Sequence, residues 1–311
     1  MALYAFDGTK DDDIDTGSSW EAVAADTNVY RFYSAYTGYA RSMGINTEYV
    51  PGVGTRFGVV GRIAGGAWGV GWLARVNETY DALCRNYTAG DTTIDVIGFS
   101  RGSAIALDFV NKVNRDGIQQ GGRVVLERPP IRFVGLFDTV AAFGVANLGF
   151  VFASLNAFHQ LTLPANVGHC FHAMSLDERR PSFVNQRIAG AYEVWLRGVH
   201  SDIGGGNNNP GLEYVALRWM FRKAIACGLP VTEANITDSA VHPEARIKPN
   251  VLSDLSKDTW RTVKPTDTVH YAVQQHPILE DEPCNAVPAA CPVETLDFEK
   301  SRVTLPASVT T

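Results

Sequence analysis

Thr93-Ile94-Asp95-Val96-Ile97-Gly98-Phe99, then Ser100-Arg101-Gly102, then Ser103-Ala104-Ile105-Ala106-Leu107, is the stretch that decides the fold. Thr93–Phe99 reads as an apolar strand and Arg101–Val113 as a helix. Between them, Gly98-Phe99-Ser100-Arg101-Gly102 fits Gly-x-Ser-x-Gly. The pattern alone is weak, because glycine and serine are common. A strand before it and a helix after it give it meaning. A serine on a sharp turn with strained backbone angles needs small neighbours, so that strand and helix can approach. The turn lifts the hydroxyl above the sheet edge. It also aims the Arg101 backbone N–H, at a helix N-terminus, toward the place where negative charge develops on an ester carbonyl.

Working outward, the same alternation recurs. Ala2–Phe6 reads as a strand, Thr27–Ala40 as a helix, Glu48–Val50 as a brief strand and Trp72–Tyr87 as a helix. Downstream, Ile131–Phe137 is an apolar strand ending at Asp138, and Glu193–Val199 is another ending at His200. Leu212–Cys227 is an amphipathic helix closed by Gly228. Continuous apolar strands alternating with helices predict an α/β fold: a mostly parallel central sheet with helices on both faces. One catalytic domain is expected over 1–276, followed by a proline-rich irregular C-terminal tail over 277–311.

A serine hydroxyl is a poor nucleophile at neutral pH, and it needs a base that an acid orients. In such a sheet these groups emerge where strands end, on the edge that carries Ser100. Asp138 and His200 both stand at strand ends. The chain order Ser100, Asp138, His200 is that of an α/β-hydrolase. Asp202 is the alternative acid, but two residues from His200 it is better suited to capping the turn. His159, His169, His172 and His270 are expected to be hydrogen-bonded structural residues. The loop after the first strand offers a second oxyanion donor, the backbone N–H of Gly8 or Thr9. Asp7 would then bond loop amides.

Composition bounds the alternatives. The chain has 311 residues, 45% hydrophobic and only 19% charged, which excludes disorder and fibrous repeats. Lys plus Arg number 27 against 33 Asp plus Glu, a net charge of −6, with no basic run, so nucleic acid is not an expected partner. The five cysteines include no Cys-x-x-Cys, and Cys284 and Cys291 are read as free thiols rather than a pair. The start, Met-Ala-Leu-Tyr-Ala-Phe-Asp, lacks a signal-peptide pattern, so synthesis in the cytoplasm is expected. Thr139–Phe158 is uncharged and strongly apolar. Its glycines and asparagines favour a buried helix, acyl-binding wall or lid over a membrane span.

Other motifs fall short. Asp7-Gly8-Thr9 matches the end of the Asp-x-Asp-Gly-Thr of haloacid-dehalogenase-type phosphatases, but Ala5 stands where their nucleophile belongs. Asp11-Asp12-Asp13-Ile14-Asp15 lacks the turn glycine and the bidentate Glu of a calcium loop, since Thr16 and Ala22 occupy those places. His169-Cys170-Phe171-His172 would need metal ligands from elsewhere. No phosphate-binding glycine loop is complete. Neither a metal nor an organic cofactor is expected in the reaction.

Taken in order, a set of segments resembles the DUF2235 group of α/β-hydrolases. They are Phe6-Asp7-Gly8-Thr9, Thr27-Asn28-Val29, Pro51-Gly52-Val53-Gly54-Thr55, Gly98-Phe99-Ser100-Arg101-Gly102 and Phe137-Asp138-Thr139-Val140. His172-Ala173-Met174-Ser175-Leu176-Asp177-Glu178-Arg179, the run Gly198–Gly206 and Leu217-Arg218-Trp219-Met220 complete the set. That bacterial and fungal family includes the catalytic domain of type VI secretion phospholipase effectors. The resemblance implies a serine carboxylic-ester hydrolase with Ser100 as nucleophile, Asp138 as acid and His200 as base. It implies a lipid or other ester substrate, a membrane surface, a secretion-spike or immunity protein as partner, and export by a type VI secretion system. The competing expectations are an esterase on small soluble esters and a non-catalytic binding protein on a hydrolase scaffold.

Overall fold

A computed structural model of the chain describes residues 1–8, 27–42, 44, 46–52, 67–140, 161–180, 183–235, 238–248, 259–280, 282 and 284–302, with side chains of 67–71 excepted. Its centre is an eight-stranded sheet in the order β10-β9-β8-β7-β6-β3-β1-β2. The strands are β1 Ala2–Phe6, β2 Glu48–Val50, β3 Ile94–Phe99, β6 Ile131–Phe137, β7 Val167–Ser175, β8 Tyr192–Leu196, β9 Thr268–His270 and β10 Val293–Glu294. Every neighbouring pair in this sheet is parallel. A small antiparallel hairpin, β4 Ile118–Gln120 with β5 Arg123–Leu126, stands apart.

Side-chain alternation explains why both faces are covered. Leu3, Ala5, Ile97 and Phe99 point to one face, where α1 (Asn28–Ser42) and α5 (Pro210–Ala226) pack. Ala2, Tyr4, Phe6, Ile94 and Val96 point to the other, against α2 (Ala67–Thr88) and α3 (Arg101–Asp116). On α1 the buried Val29, Phe32, Tyr36 and Ala40 form one helical stripe. Phe32 stacks on Phe221 of α5 with ring centroids 4.9 Å apart. Burying each such ring contributes on the order of 2 kcal/mol. The one charge in β3, Asp95, is buried but satisfied by the Arg132 guanidinium and by the Tyr36 hydroxyl at 2.8 Å.

Three differences from the sequence reading stand out. The strand before His200 ends at Leu196, and Gly198 (φ 115°) then turns the chain. A central strand, β7, runs where the hydrophobic pattern marks none, and it contains both His169 and His172. After β9 comes α6 (Ala272–Gln275); within the segment expected to run irregularly from 277, Val293–Glu294 pairs in parallel with β9, and α7 (Leu296–Glu299) follows. The physical anchor of that edge is Glu294, fully buried against Lys223 of α5.

All five cysteines are free thiols. Among the described residues, no helix is long and apolar enough to cross a membrane. Most of Thr139–Phe158, the acidic loop and Thr9 lie outside the described residues.

Candidate functional site

Ser100 stands between β3 and α3 with φ 56° and ψ −127°, a conformation that L residues rarely adopt. Holding a non-glycine residue there costs about 1–3 kcal/mol, which the surrounding packing must offset. The flanking glycines make the turn possible. A Cβ on Gly98 would lie 2.8 Å from the Ser103 Cα, and one on Gly102 would lie 2.3 Å from the Phe6 carbonyl oxygen. The Ser100 N–H donates to the Phe137 carbonyl at 2.9 Å, which ties the turn to the end of β6.

Asp138 follows β6 directly and also has positive φ, 40°. Its carboxylate is fully buried and surrounded by donors. Oδ1 accepts from the Ser175 N–H at 2.9 Å, the Asn185 amide at 3.0 Å and Arg261 Nη1 at 2.6 Å. Oδ2 lies 2.6 Å from His200 Nδ1 and accepts from Arg261 Nη2 at 3.0 Å. Burial alone would raise the pKa of this acid. Arg261 and His200 outweigh it and hold the carboxyl well below the usual carboxylate range.

His200 opens the short helix α4 (His200–Gly204). Its backbone N–H donates to Glu178 Oε2 at 3.2 Å. The ring lies between Phe99, 4.7 Å between centroids, and the edge of Phe183, 4.8 Å. An ionised Asp138 only accepts, so Nδ1 carries the ring proton and Nε2 presents its lone pair. Nε2 lies 2.8 Å from Ser100 Oγ. Burial lowers the imidazole pKa, and the Asp138 carboxylate counters this only in part, so the ring is neutral at neutral pH. Ser100, Asp138 and His200, from three separate strand ends, are thus joined in one hydrogen-bonded line.

The remaining sequence candidates fall in different places. Asp202 does not meet the ring: its Oδ2 accepts the Val199 N–H at 2.9 Å and its Oδ1 the Asn207 amide at 2.8 Å. It caps α4, and burial pushes its carboxyl up to about 7. Arg101 is the first residue of α3, next to the Ser100 turn. The Gly8 N–H donates to Asp7 Oδ1 at 2.7 Å, so it is turned toward that carboxylate rather than offered to a ligand. Asp7 also accepts from the Thr27 hydroxyl at 2.6 Å, binding loop to helix. His172 is structural: Nε2 accepts the Thr139 N–H at 3.1 Å, and Nδ1 lies 3.0 Å from Glu193. His270 is fully buried, 3.6 Å from Glu299.

Sequence reasoning misses Arg261, Asn185, Glu178 and Phe183. Arg261 is the most consequential, since it grips both oxygens of Asp138 and donates to the Ser175 and Phe183 carbonyls at 2.8 and 2.7 Å. It lies 123 positions after Asp138 in a stretch without a motif. No local signal marks it, since Lys257 and Lys264 stand nearby as equally plain cations.

The chain matches the family model described as T6SS, Phospholipase effector Tle1-like, catalytic domain, over residues 3–124 and 112–223. Among solved structures, an uncharacterized protein from Pseudomonas aeruginosa is 22% identical, with a TM-score of 0.50 over 77% of this chain and 47% of that one. The Tle1 effector bound to the VgrG spike from the Type 6 secretion system is 23% identical, with a TM-score of 0.42 over 68% of this chain and 51% of that one. This chain therefore spans about half the length of either. No curated protein matches it.

Proposed function

The chain belongs to the family of Tle1-like type VI secretion phospholipase effector catalytic domains, and from that premise we propose that it is a serine hydrolase of carboxylic esters acting on phospholipid. The observation that supports this most directly is the continuous line Ser100 Oγ, His200 Nε2, His200 Nδ1, Asp138 Oδ2, with its two contacts of 2.8 and 2.6 Å.

In this mechanism Ser100 Oγ attacks the ester carbonyl while His200 Nε2 takes its proton. Asp138 holds the ring tautomer and stabilises the imidazolium that forms. The Arg101 N–H, at the start of α3, faces the developing oxyanion, and one such donor stabilises the transition state by about 3 kcal/mol. His200 then protonates the leaving alcohol, which departs as the acyl-enzyme forms. Water, deprotonated by the same ring, releases the acid and restores Ser100. Arg261 keeps Asp138 ionised and its oxygens fixed.

The family description supports export by a type VI secretion system. We further propose a secretion spike as partner, an immunity protein as antagonist and a membrane surface as the place of action.

The test is hydrolysis of phospholipid vesicles and of a short-chain soluble ester by wild type and by Ser100→Ala. Cleavage of both by wild type, lost in the variant, is the expected result. Cleavage of the soluble ester alone removes the phospholipid assignment and leaves the mechanism. Full activity in the variant, or a fluorophosphonate adduct on any residue but Ser100, overturns the mechanism itself.

A further inference from the structure

We propose that His276, Glu282 and Cys284 form a binding site for a divalent transition-metal cation of the zinc type, which clips together the loop 276–284. One ligand atom from each of the three side chains lies within 4.8 Å of the other two. Tetrahedral zinc with nitrogen, oxygen and sulfur ligands at about 2.0–2.3 Å draws such atoms to about 3.3–3.8 Å of one another. Small rotations of these side chains therefore complete the site. A water takes the fourth position.

The hydrogen bonds around the cluster point to a missing cation. His276 Nδ1 lies 2.8 Å from the Pro243 carbonyl, which only accepts, so the ring proton is on Nδ1. That bond fixes the ring's orientation and leaves Nε2 as the position a metal would take, as in metal-ligating histidines. Nε2 is buried and has no hydrogen-bond partner. It faces Glu282 Oε1 at 3.4 Å. Glu282 Oε1 accepts the Ile247 N–H, but Oε2 is buried with no partner at all. The His276 and Glu282 side chains are 0% and 1% exposed, so water does not satisfy these atoms from outside. Two buried polar atoms without partners beside a thiol are costly by themselves.

A divalent cation removes both orphans. It binds the Nε2 lone pair and a carboxylate oxygen, and it displaces the Cys284 thiol proton to solvent as the metal–sulfur bond forms. One carboxylate and one thiolate neutralise the ion's two charges, which suits a buried site. Histidine, carboxylate and thiolate together favour zinc over magnesium or calcium, which prefer oxygen alone.

The clip lies next to residues that support Asp138. Cys284 precedes Asn285, whose N–H donates to Asp177 at 2.8 Å. The Asn285 amide donates to the Leu176 and Arg261 carbonyls at 2.9 and 2.8 Å. A cation on Cys284 therefore steadies the backbone from which Arg261 reaches Asp138. The proposal stands on the cluster alone and holds whatever reaction Ser100 performs.

The experiment uses the full chain, stripped with a chelator and titrated with Zn²⁺ by calorimetry and with Co²⁺ by absorption. One equivalent of Zn²⁺ binds, raises the thermal midpoint and protects Cys284 from alkylation, mapped by mass spectrometry. The Co²⁺ form shows a sulfur-to-metal charge-transfer band. Cys284→Ser removes that band and weakens Zn²⁺ binding by more than about 100-fold, and His276→Gln weakens it comparably. Cys84→Ser changes neither. Absence of Zn²⁺ binding, or a Co²⁺ complex with no sulfur band, overturns the proposal and leaves an imidazolium–carboxylate pair. Undiminished Zn²⁺ binding in Cys284→Ser overturns it too. If that variant fails to fold, the wild-type Co²⁺ spectrum and the alkylation map decide.

Discussion

Asp138 and Glu294 are both fully buried carboxylates on one sheet, yet they are built for different ends. Glu294, on the edge strand β10, meets Lys223 Nζ at 2.5 Å and the Trp219 indole N–H. Lys223 in turn donates to the Ser301 carbonyl at 3.1 Å and sits among the rings of Phe171, Tyr192 and Trp219. That cluster fastens the last strand and α7 to α5. Asp138, at the end of a central strand, shares its oxygens between an arginine and a neutral imidazole. Its backbone is left-handed, as is that of Ser100 beside it. Neither Lys223 nor Glu294 carries such a backbone. A buried acid tied to a fixed cation fastens. In the proposed mechanism, a buried acid tied to a titratable ring beside a strained serine aims a proton acceptor.

Substitution at each place separates the two roles. The largest effect is expected from Ser100→Ala, which lowers kcat for ester hydrolysis about a million-fold. Its thermal midpoint should stay near that of wild type, because alanine keeps the turn and removes one hydroxyl. Asp138→Asn should lower kcat about 10⁴-fold by presenting the wrong tautomer of His200. Glu294→Gln should do the reverse. It leaves the Lys223 ammonium buried without its nearest counter-charge, at about 3–5 kcal/mol of stability, while kcat at a temperature where the variant is folded stays near wild type. Denaturant unfolding and steady-state kinetics on the same preparations check all three. A collapse of kcat in Glu294→Gln with unchanged stability would erase the contrast.

The central half of this comparison was legible from residues alone, and the edge half was not. β1, β3 and β6 are buried on both faces, so they read as unbroken apolar runs. A run that ends in Gly98-Phe99-Ser100 or Phe137-Asp138 announces a strand end with chemistry on it. β7 hides because His169 and His172 interrupt its pattern, and His172 is tolerated only through Thr139 and Glu193, which are far away in sequence. β10 has two residues, too short for any periodic signal. Its place depends on Glu294 finding Lys223, 71 positions earlier, which no local pattern encodes. Arg261 escapes for the same reason. The groups that make chemistry sit at strand ends and leave local signs, whereas the groups that hold them still come from anywhere in the chain.

A smaller effect tests how closely the aiming depends on packing. A Cβ on Gly204 would lie 1.9 Å from Phe99 Cε2, and that ring packs at a tilt against His200. Gly204→Ala should therefore cost about 1–3 kcal/mol by overpacking. It should also lower kcat, because Phe99 can yield only by shifting against the imidazole. A variant that loses stability but keeps kcat would show that the ring does not depend on Phe99 for its position.

The smallest effect is the pH dependence, where both groups act with one sign. The folded pKa of His200 lies below its ordinary value of 6.5, so the open chain takes up this proton more readily than the fold does. The stability it contributes is complete above 6.5 and is lost as pH falls through the folded pKa. Asp138 is likewise depressed below its ordinary 3.8, so its contribution is complete above that value and fades only below it. Acid should thus act in two stages, first through the histidine and then through the carboxylate. Asp138→Asn should shrink the second stage, to which the depressed carboxyls of Glu178, Glu193, Asp267 and Glu299 also contribute, whereas Glu294→Gln should leave both in place. In the proposed mechanism only the neutral ring accepts the Ser100 proton, so activity should follow the first stage alone and the acid limb of kcat/KM should lie below 6.5. A limb above that value would mean that the Asp138 carboxylate, rather than burial, governs the ring.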